Sequence, residues 1–264
     1  MATARALPVL MYHHVSPNPG LVTVSPQTFR DQIAGLAARG YRSVGCADLA
    51  AFLAGRPLPA KSVVITFDDG YLDNYLHAHP VLREFGFTAV LFLITGRLGD
   101  GPARTGGDAP DHRTCMERIG AGRADDVMLR WSEVEAMAGA GSFEFHSHTH
   151  THTRWDRQIA DPAARRLRLA EDLAQSRDAL RQRLGAVSGH LCWPQGYYGD
   201  DYIAVARQAG FDHLYTVEKG TCLAGTDPLR IPRIVTKDRA GRWLPSRLWL
   251  YRRPLLAAAY AAVS

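Results

Sequence analysis

Two adjacent carboxylates at the end of an apolar run are the first candidates for chemistry in this chain. The run SVVITFDDG passes from β-branched apolar residues into Asp68, Asp69 and a glycine. A continuous apolar run of this length predicts a strand buried on both faces. Acidic side chains at its tip would be costly to bury unless they were paired, protonated or bound to a cation. A capping aspartate before a turn glycine is the structural alternative, and these residues alone leave it open.

A histidine cluster further along the chain favours a metal site. Four of the 11 histidines alternate with other residues in the run HSHTHTH. Histidines two apart face the same way on a strand, and histidines four apart face the same way on a helical turn. We expect His148 and His152 to bind one metal ion, with His146 and His150 as the next pair and Asp69 as the third ligand. Two histidines and one carboxylate form a catalytic pattern for zinc and other first-row metals. A surface tract that binds metal adventitiously is the alternative.

Several motifs, taken together, resemble those of the NodB-like polysaccharide deacetylases, carbohydrate esterase family 4. The motifs are TFDDG at 66–70, SHTHTH at 147–152, and the supporting segments LMYHHV at 10–15, VSPQTF at 24–29 and CWPQGY at 192–197. The resemblance implies an α/β fold of the NodB-homology type, a deformed (β/α)7 barrel. The alternation of strands and helices alone would equally allow a doubly wound open sheet.

The resemblance assigns roles to individual residues. Asp68 matches the catalytic base, and Asp69, His148 and His152 match the metal ligands. Gln195 stands where the family has a residue whose backbone N–H helps to hold the oxyanion. The candidate substrate-binding residues of the same loop are Trp193, Pro194, Gly196 and Tyr197.

The chain departs from the family pattern at two points. Cys192 occupies the position of the arginine that steadies the base, and the late Leu-x-His motif that supplies the catalytic acid is not visible. Arg230 or Arg233 could replace the guanidinium, although a surface salt bridge is an equal alternative for both. The acid could be a water molecule or one of the side chains Asp68, His13, His146 and His150. From these departures we expect a slow or narrow-range enzyme.

The implied reaction is metal-dependent removal of N-acetyl groups from an N-acetylhexosamine-containing glycan or an exopolysaccharide intermediate. It needs one divalent metal ion, for which zinc is the first choice and nickel, cobalt or iron are alternatives. Two other functions stay open: a catalytically silent carbohydrate-binding protein on the same scaffold, and a deacetylase of a small non-glycan amide.

Composition predicts one compact α/β domain. The chain has 264 residues, of which 46% are hydrophobic and 22% charged, and these values are typical of a globular barrel enzyme. We predict a single domain over 1–264, with a core over about 8–235 and a basic, apolar tail over 236–264. The predicted strands are 9–12, 62–67, 88–94, 142–145 and three short ones near 191, 214 and 231; the predicted helices are 26–39, 48–53, 75–84, 131–138 and 163–184.

Two local features accompany these elements. A capping box of Ser132 and Glu135 is predicted to begin the helix over 131–138. The stretch from 96 to 126 is rich in Gly, Asp and Pro, and we expect a loop that either walls the sugar groove or is a mobile insertion.

Charge and cysteine usage bear on partners and location. The formal net charge is +5, but no nucleic-acid-binding motif accompanies it, so we expect a sugar substrate and no nucleic acid. The tail is expected to dock against the domain, with a peripheral membrane contact as the alternative. Four widely spaced cysteines and the absence of a charged-then-apolar leader predict reduced thiols and a cytoplasmic location. The oligomeric state is not predicted.

Overall fold

Ten short strands and ten α-helices make up the part of the chain that the computed structural model describes, residues 2–263. The strands are β1 (Val9–Tyr12), β2 (His14–Val15), β3 (Thr23–Val24), β4 (Arg42–Ser43), β5 (Ser62–Asp69), β6 (Ala89–Leu93), β7 (Phe143–Ser147), β8 (His190–Cys192), β9 (His213–Lys219) and β10 (Ile231–Val235). The helices are α1 (Pro26–Ala38), α2 (Cys46–Leu53), α3 (His79–Phe85), α4 (His112–Gly120), α5 (Trp131–Gly139), α6 (Trp155–Gln158), α7 (Pro162–Leu184), α8 (Asp200–Gln208), α9 (Trp243–Tyr251) and α10 (Pro254–Val263).

Parallel pairing closes seven of the strands into a barrel. Strands β5 to β10 follow one another in order, and β1 pairs with both β10 and β5. The deformed (β/α)7 barrel is therefore confirmed, and the doubly wound open sheet is wrong because the β1–β5 pairing removes the free edges. Strand β4 extends the ladder along the start of β5, and β2 pairs with β3 in a separate two-stranded sheet.

Alternation along β5 places its side chains in two layers, as the geometry of a strand requires. Val63, Ile65 and Phe67 belong to the outer cluster, where the barrel packs against α1, α3 and α5. Val64 belongs to the interior cluster, together with Phe92 of β6 and Tyr215 of β9. Because both faces are buried, the strand is mainly apolar before Asp68 and Asp69, and the hydroxyl of its buried Thr66 donates to the Leu10 carbonyl.

The structure corrects two of the local predictions. The stretch over 96–126 is not only loop, since it contains α4, which is capped by Asp111, whose carboxylate accepts the Thr114 N–H. The capping box of α5 is formed by Glu133, which accepts the Arg130 N–H at 2.8 Å, whereas Glu135 is exposed. Glu133 is completely buried and also binds the Arg104 guanidinium, so it anchors the segment before α4 to the barrel.

The segment after the last barrel strand packs against α1. Leu244, Leu248 and Tyr251 of α9 and Ala257 of α10 are buried in the outer cluster. The predicted docking of the tail is therefore observed up to Tyr260, the last residue whose side chain is described. Within residues 2–263, we find no helix with the length and apolarity needed to cross a bilayer.

Candidate active site

The two adjacent carboxylates at the end of β5 face the same cavity because the backbone turns between them. Asp69 has a φ of 77°, in the left-handed region, and Gly70 follows with a φ of 89°. In a regular strand these neighbours would point to opposite faces. The left-handed residue instead brings Asp69 beside the mouth of the barrel, while Asp68 continues the interior face. Both side chains are almost fully buried.

Asp69, His148 and His152 converge on one point. Asp69 Oδ1 lies 3.4 Å from His148 Nε2 and 3.6 Å from His152 Nε2. The His148 Nδ1–H donates to the carbonyl of Cys192 at 2.8 Å, so its Nε2 is turned toward Asp69. Burial lowers the pKa of His152 to about 3, which keeps its nitrogen unprotonated and able to bind a cation.

This donor set fits a divalent metal ion. The three ligand atoms lie within 4.8 Å of one another. Asp69 Oδ1 is buried and has no hydrogen-bond partner, which is costly for a carboxylate unless a cation satisfies it. Burial raises the pKa of Asp69, but the close approach of His148 and the electrostatic influence of His152 and His13 outweigh it, so the pKa lies well below the usual range. One carboxylate oxygen and two imidazole nitrogens are ligands that zinc and other first-row metals accept.

Asp172 of α7 holds the ligand loop in place. Its carboxylate accepts the backbone N–H groups of His150 and Thr151 at 2.7 and 2.8 Å, and the Trp155 Nε1–H at 3.0 Å. Thr149, between the ligand histidines, has a φ of 65°, and its hydroxyl accepts the His152 N–H. The carboxylate therefore supports a tight turn that brings His152 back toward His148.

Asp68 is paired with a buried arginine rather than with the metal ligands. Arg233 of β10 donates from Nη1 to Asp68 Oδ1 at 2.7 Å and from Nη2 to Oδ2 at 2.8 Å. Burial raises the pKa of Asp68, but the Arg233 charge outweighs it and holds that pKa below the usual range. Since both oxygens are engaged, Asp68 stays ionised and is not needed as a ligand.

The guanidinium near Asp68 thus comes from a different strand than the family pattern suggests. Cys192 lies in the interior with its sulfur 3.0 Å from Arg233 Nη2. Of the two arginines proposed as replacements, Arg233 is completely buried, whereas Arg230 is exposed and pairs with Asp200 at 3.2 Å.

His13, directly after β1, is the other titratable group beside Asp68. Its Nε2 lies 3.7 Å from Asp68 Oδ2, and its side chain lines the cavity. Burial lowers the pKa of His13 in spite of the nearby carboxylates. The imidazole is therefore neutral at rest and, once protonated, is a stronger acid than an exposed imidazolium.

An open cavity of about 360 Å³ lies over these groups. Asp68, Asp69, His148 and His152 form its floor, and the loop after β8 forms one wall. Gln195 in that loop has a φ of 55°, and a Cβ on Gly196 would meet the Val217 side chain at 2.2 Å. The left-handed turn and the glycine let the loop backbone come close to the cavity.

The remaining predicted site residues divide into two groups. Trp193 and Gly196 line the cavity, whereas Pro194 and Tyr197 are not among its lining residues. Tyr197 instead packs edge-on against Tyr202 and lies under the Arg154 guanidinium, 3.9 Å from its carbon. A stacking contact between Tyr197 and substrate in the cavity is therefore not supported.

His146 and His150, the alternative pair of metal ligands, do not lie together at the cavity. His150 Nδ1 pairs with the Thr95 hydroxyl at 3.0 Å, and its backbone contacts the turn that follows β6. His146 points into the barrel interior beside Glu144 and Ser188. Neither imidazole is among the groups that line the cavity.

Several cavity residues were not anticipated. Arg97 and His112 line it, and both fall in the stretch predicted as loop. His112 Nδ1 lies 3.2 Å from His14 Nε2, and His14 Nδ1 lies 2.6 Å from the buried Asp73. No local signal marks these residues, because α4 reaches the cavity only through its packing. The prediction that this segment walls the groove is consistent with their positions.

A closed parallel barrel with an Asp-His-His cluster and an ionised carboxylate at the carboxyl ends of its strands is an architecture in which enzymes place catalytic metal sites. The family model described as polysaccharide deacetylase matches residues 55–214, more than half of the chain. The chain therefore belongs to the polysaccharide deacetylase family, and the resemblance to NodB-like members is confirmed.

Relatives and solved structures agree with this assignment. The poly-beta-1,6-N-acetyl-D-glucosamine N-deacetylase of Escherichia coli (strain K12) is 28% identical over 228 residues, which are 81% of this chain and 34% of that protein. The chain thus spans about a third of the length of this relative. IcaB from Ammonifex degensii superposes with a TM-score of 0.75 at 25% identity, over 94% of this chain and 98% of that one. The Streptococcus pyogenes deacetylase PplD, solved with acetate, gives a TM-score of 0.74 at 25% identity, over 96% and 100%.

Replacing Asp172 tests its support of the ligand loop. We expect Asp172→Asn to weaken zinc binding roughly tenfold or more, the range seen when groups that orient metal ligands are lost. The measurement is a zinc titration in competition with a chromophoric chelator. Glu171→Gln is the matched control, because Glu171 is the exposed neighbour on the same helix. Equal zinc affinities for the two variants would contradict the role of Asp172.

Removing the Arg233 guanidinium tests the pairing of Asp68. A folded-state pKa held low keeps Asp68 ionised down to acidic pH, and activity is lost as the pH falls through that pKa. In Arg233→Met, burial is opposed only by the smaller influence of His13 and His148, so the pKa of Asp68 rises and the acidic limb of kcat/KM moves to higher pH. Arg233→Lys keeps a charge and is expected to fall between the two.

Circular dichroism of each variant establishes that the barrel is folded before its pH profile is measured. Arg230→Met is the control, because that arginine pairs with Asp200 at the surface. If the acidic limbs of wild type and folded Arg233→Met coincide, Arg233 does not control the pKa of Asp68.

Proposed function

We propose that the protein removes N-acetyl groups from an N-acetylglucosamine-containing exopolysaccharide by metal-dependent hydrolysis. The observation that carries the proposal is the placement of an ionised Asp68 beside the Asp69–His148–His152 cluster on the floor of an open cavity. The printed name of the Escherichia coli relative, an N-deacetylase of poly-beta-1,6-N-acetyl-D-glucosamine, supports the choice of substrate class.

Zinc is the ion we propose for the cluster, with nickel, cobalt or iron as alternatives. Asp69, His148 and His152 would hold it. A divalent ion at such a site acidifies a water molecule and polarises the acetyl carbonyl. Three protein ligands leave room for both, as in other catalytic sites of this type.

Asp68 is suited to accept the proton of the attacking water. It is ionised, lies next to the ligand set, and is held in one orientation by two hydrogen bonds from Arg233. Because Arg233 occupies both carboxylate oxygens without blocking the cavity side, it acts as a positioning residue. The backbone N–H of Gln195 is our candidate for stabilising the oxyanion, a contribution typically worth about 3 kcal/mol.

His13 is the best-placed acid for the leaving amine. A proton accepted by Asp68 can pass to His13 Nε2, 3.7 Å away, and from there to the departing nitrogen. Asp68 itself or a water molecule would be the alternative donor, whereas His146 and His150 lie outside the cavity lining. The expectation of a slow enzyme arose from a missing arginine and a missing acid. Arg233 of β10 and His13, directly after β1, are our candidates for these two groups, and the expectation of a slow enzyme stays a prediction.

Location and membrane contact stay predictions. The four cysteines are free and buried, which is compatible with the predicted cytoplasmic location. Trp249 and Leu255 are exposed on the docked helices, 55% and 87% respectively, and Arg253 stacks on Trp249. A peripheral contact with an anionic membrane surface would use these residues.

Acetate release tests the proposed reaction directly. We expect metal-loaded wild type to release acetate from β-1,6-linked N-acetylglucosamine oligomers, and Asp68→Asn to reduce the rate by about 10²-fold or more. The control is Asp31→Asn, because Asp31 is exposed. Asp73 is buried and is therefore not a suitable control position. Glycan binding without hydrolysis of any amide or ester would instead support a silent carbohydrate-binding protein. Hydrolysis restricted to small acetamides would support the non-glycan alternative.

Two substrates whose leaving groups differ in their need for a proton test whether His13 is the acid. We expect His13→Gln to slow deacetylation of the amide substrate by about 10²-fold. It should affect hydrolysis of 4-nitrophenyl acetate much less, because that leaving group departs without a proton. His77→Gln, on the turn before α3, is the matched control. Equal losses on both substrates would show that His13 does not act as the acid.

A further inference from the structure

A second cluster of potential metal ligands lies inside the barrel, separate from the cavity. Cys46 Sγ, a Glu144 carboxylate oxygen and a His146 ring nitrogen lie within 4.8 Å of one another. They come from the first residue of α2 and from the inward-facing positions of β7. None of the three belongs to the Asp69–His148–His152 set. From their chemistry and placement we infer that they form a second, structural site for a divalent metal ion, with zinc as the best match.

The unsatisfied nitrogen of His146 is the main observation. His146 Nδ1 pairs with the Ser188 hydroxyl, but Nε2 is buried and has no hydrogen-bond partner. The side chain is only 9% exposed, and its Nε2 lies 3.5 Å from Glu144 Oε1. An unpaired buried ring nitrogen is destabilising, because it has lost its hydrogen bond to water without gaining another partner. A cation bound at Nε2 would satisfy it and the facing carboxylate together.

Helix capping explains part of the cluster and leaves the rest unexplained. Glu144 Oε1 accepts the Cys46 N–H at 2.5 Å, at the start of α2. A Cβ on Gly45 would approach Glu144 Oε2 to 2.6 Å, so the glycine admits the carboxylate. Capping accounts for Glu144 and Gly45. It does not account for the thiol of Cys46 and the free nitrogen of His146, which approach the same point.

The donor set matches a structural zinc site. Zinc binds cysteine sulfur, histidine nitrogen and carboxylate oxygen, and a thiolate with a carboxylate would balance its charge. Burial raises the pKa of Cys46 well above the usual value, so the metal-free thiol is protonated. Binding would break the S–H bond, form a sulfur–metal bond and release one proton to solvent.

The surroundings suit an ion better than a substrate. Cys46 is 2% exposed, so a larger molecule could not reach it, whereas the one-third exposed Glu144 side chain offers a small ion a path inward. The Tyr215 hydroxyl lies 3.2 Å from Cys46 Sγ and 3.0 Å from His190 Nδ1. These polar groups enclose the cluster within an otherwise apolar interior.

The second site is distinct from the first. The ring of Phe92 lies 6.1 Å from the His146 ring and 5.9 Å from the carbon of the Arg233 guanidinium that pairs with Asp68, and the two clusters share no ligand. An ion at the second site would link α2 to β7, and its effect would be on stability rather than on the reaction.

Cobalt substitution tests this inference, because a cobalt–thiolate bond gives a near-ultraviolet charge-transfer band. The full chain is freed of metal with a chelator and titrated anaerobically with Co²⁺ alone. We expect wild type to show the band, and Cys46→Ser to lose it together with about one bound equivalent of cobalt. Asp69→Asn should lose the cavity site and keep the band, which separates this site from the proposed catalytic one.

Two cysteine controls exclude other sources of the band. Cys222→Ser removes a buried thiol of the same interior cluster and should retain the band. Cys192→Ser should also retain it, although Cys192 lies near His148. If Cys46→Ser does not fold, His146→Gln replaces it and is expected to lose the band as well. Absence of the band in cobalt-saturated wild type, or its loss in Cys192→Ser alone, would overturn the inference.

Discussion

The burial of two neighbouring carboxylates is the constraint around which this barrel is organised. Asp68 and Asp69 both leave water, and neither charge can persist in the interior without a positive partner. The structure resolves them in different ways. Asp68 meets a guanidinium across the barrel, and Asp69 lies beside His148 and His152 of the segment after β7, a set of three that fits a cation. Because one carboxylate is fully engaged by arginine and the other is left with a free oxygen, two chemically identical residues acquire separate tasks.

Local patterns predicted the strands and the ligand triad because short runs of consecutive residues carry these patterns. The apolar run ending in Asp69, and the alternating histidines, both appear in short segments, and the fold brings Asp69, His148 and His152 together. The source of the guanidinium was only a choice between Arg230 and Arg233, since the pairing of β10 with β1 is not visible in the sequence around either arginine. Nothing in the sequence singles out Asp172, because a carboxylate that will be buried looks the same as the exposed ones along a long polar helix.

Residues with strained backbone conformations lie in the same region as the candidate metal ligands. Five non-glycine residues among 2–263 have positive φ, namely Val22, Asp69, Thr149, His152 and Gln195. Four of them line the cavity, and the fifth lies between the ligand histidines. Such conformations cost of order 1 kcal/mol each and persist only when surrounding contacts hold them. Propensity-based reasoning cannot anticipate these turns, since none of these residues favours them, and the capping error at Ser132 has a similar origin in contacts beyond the helix.

The position of β1 between β5 and β10 has a consequence for biogenesis. Asp68 and Arg233 are separated by 165 residues, so Asp68 acquires its partner only when the final barrel strand has left the ribosome. The aspartate and histidines of the cavity emerge earlier, on β5 and the segment after β7. The slow, long-range closure of β10 onto β1 therefore comes after the segments that carry Asp69, His148 and His152 have been made.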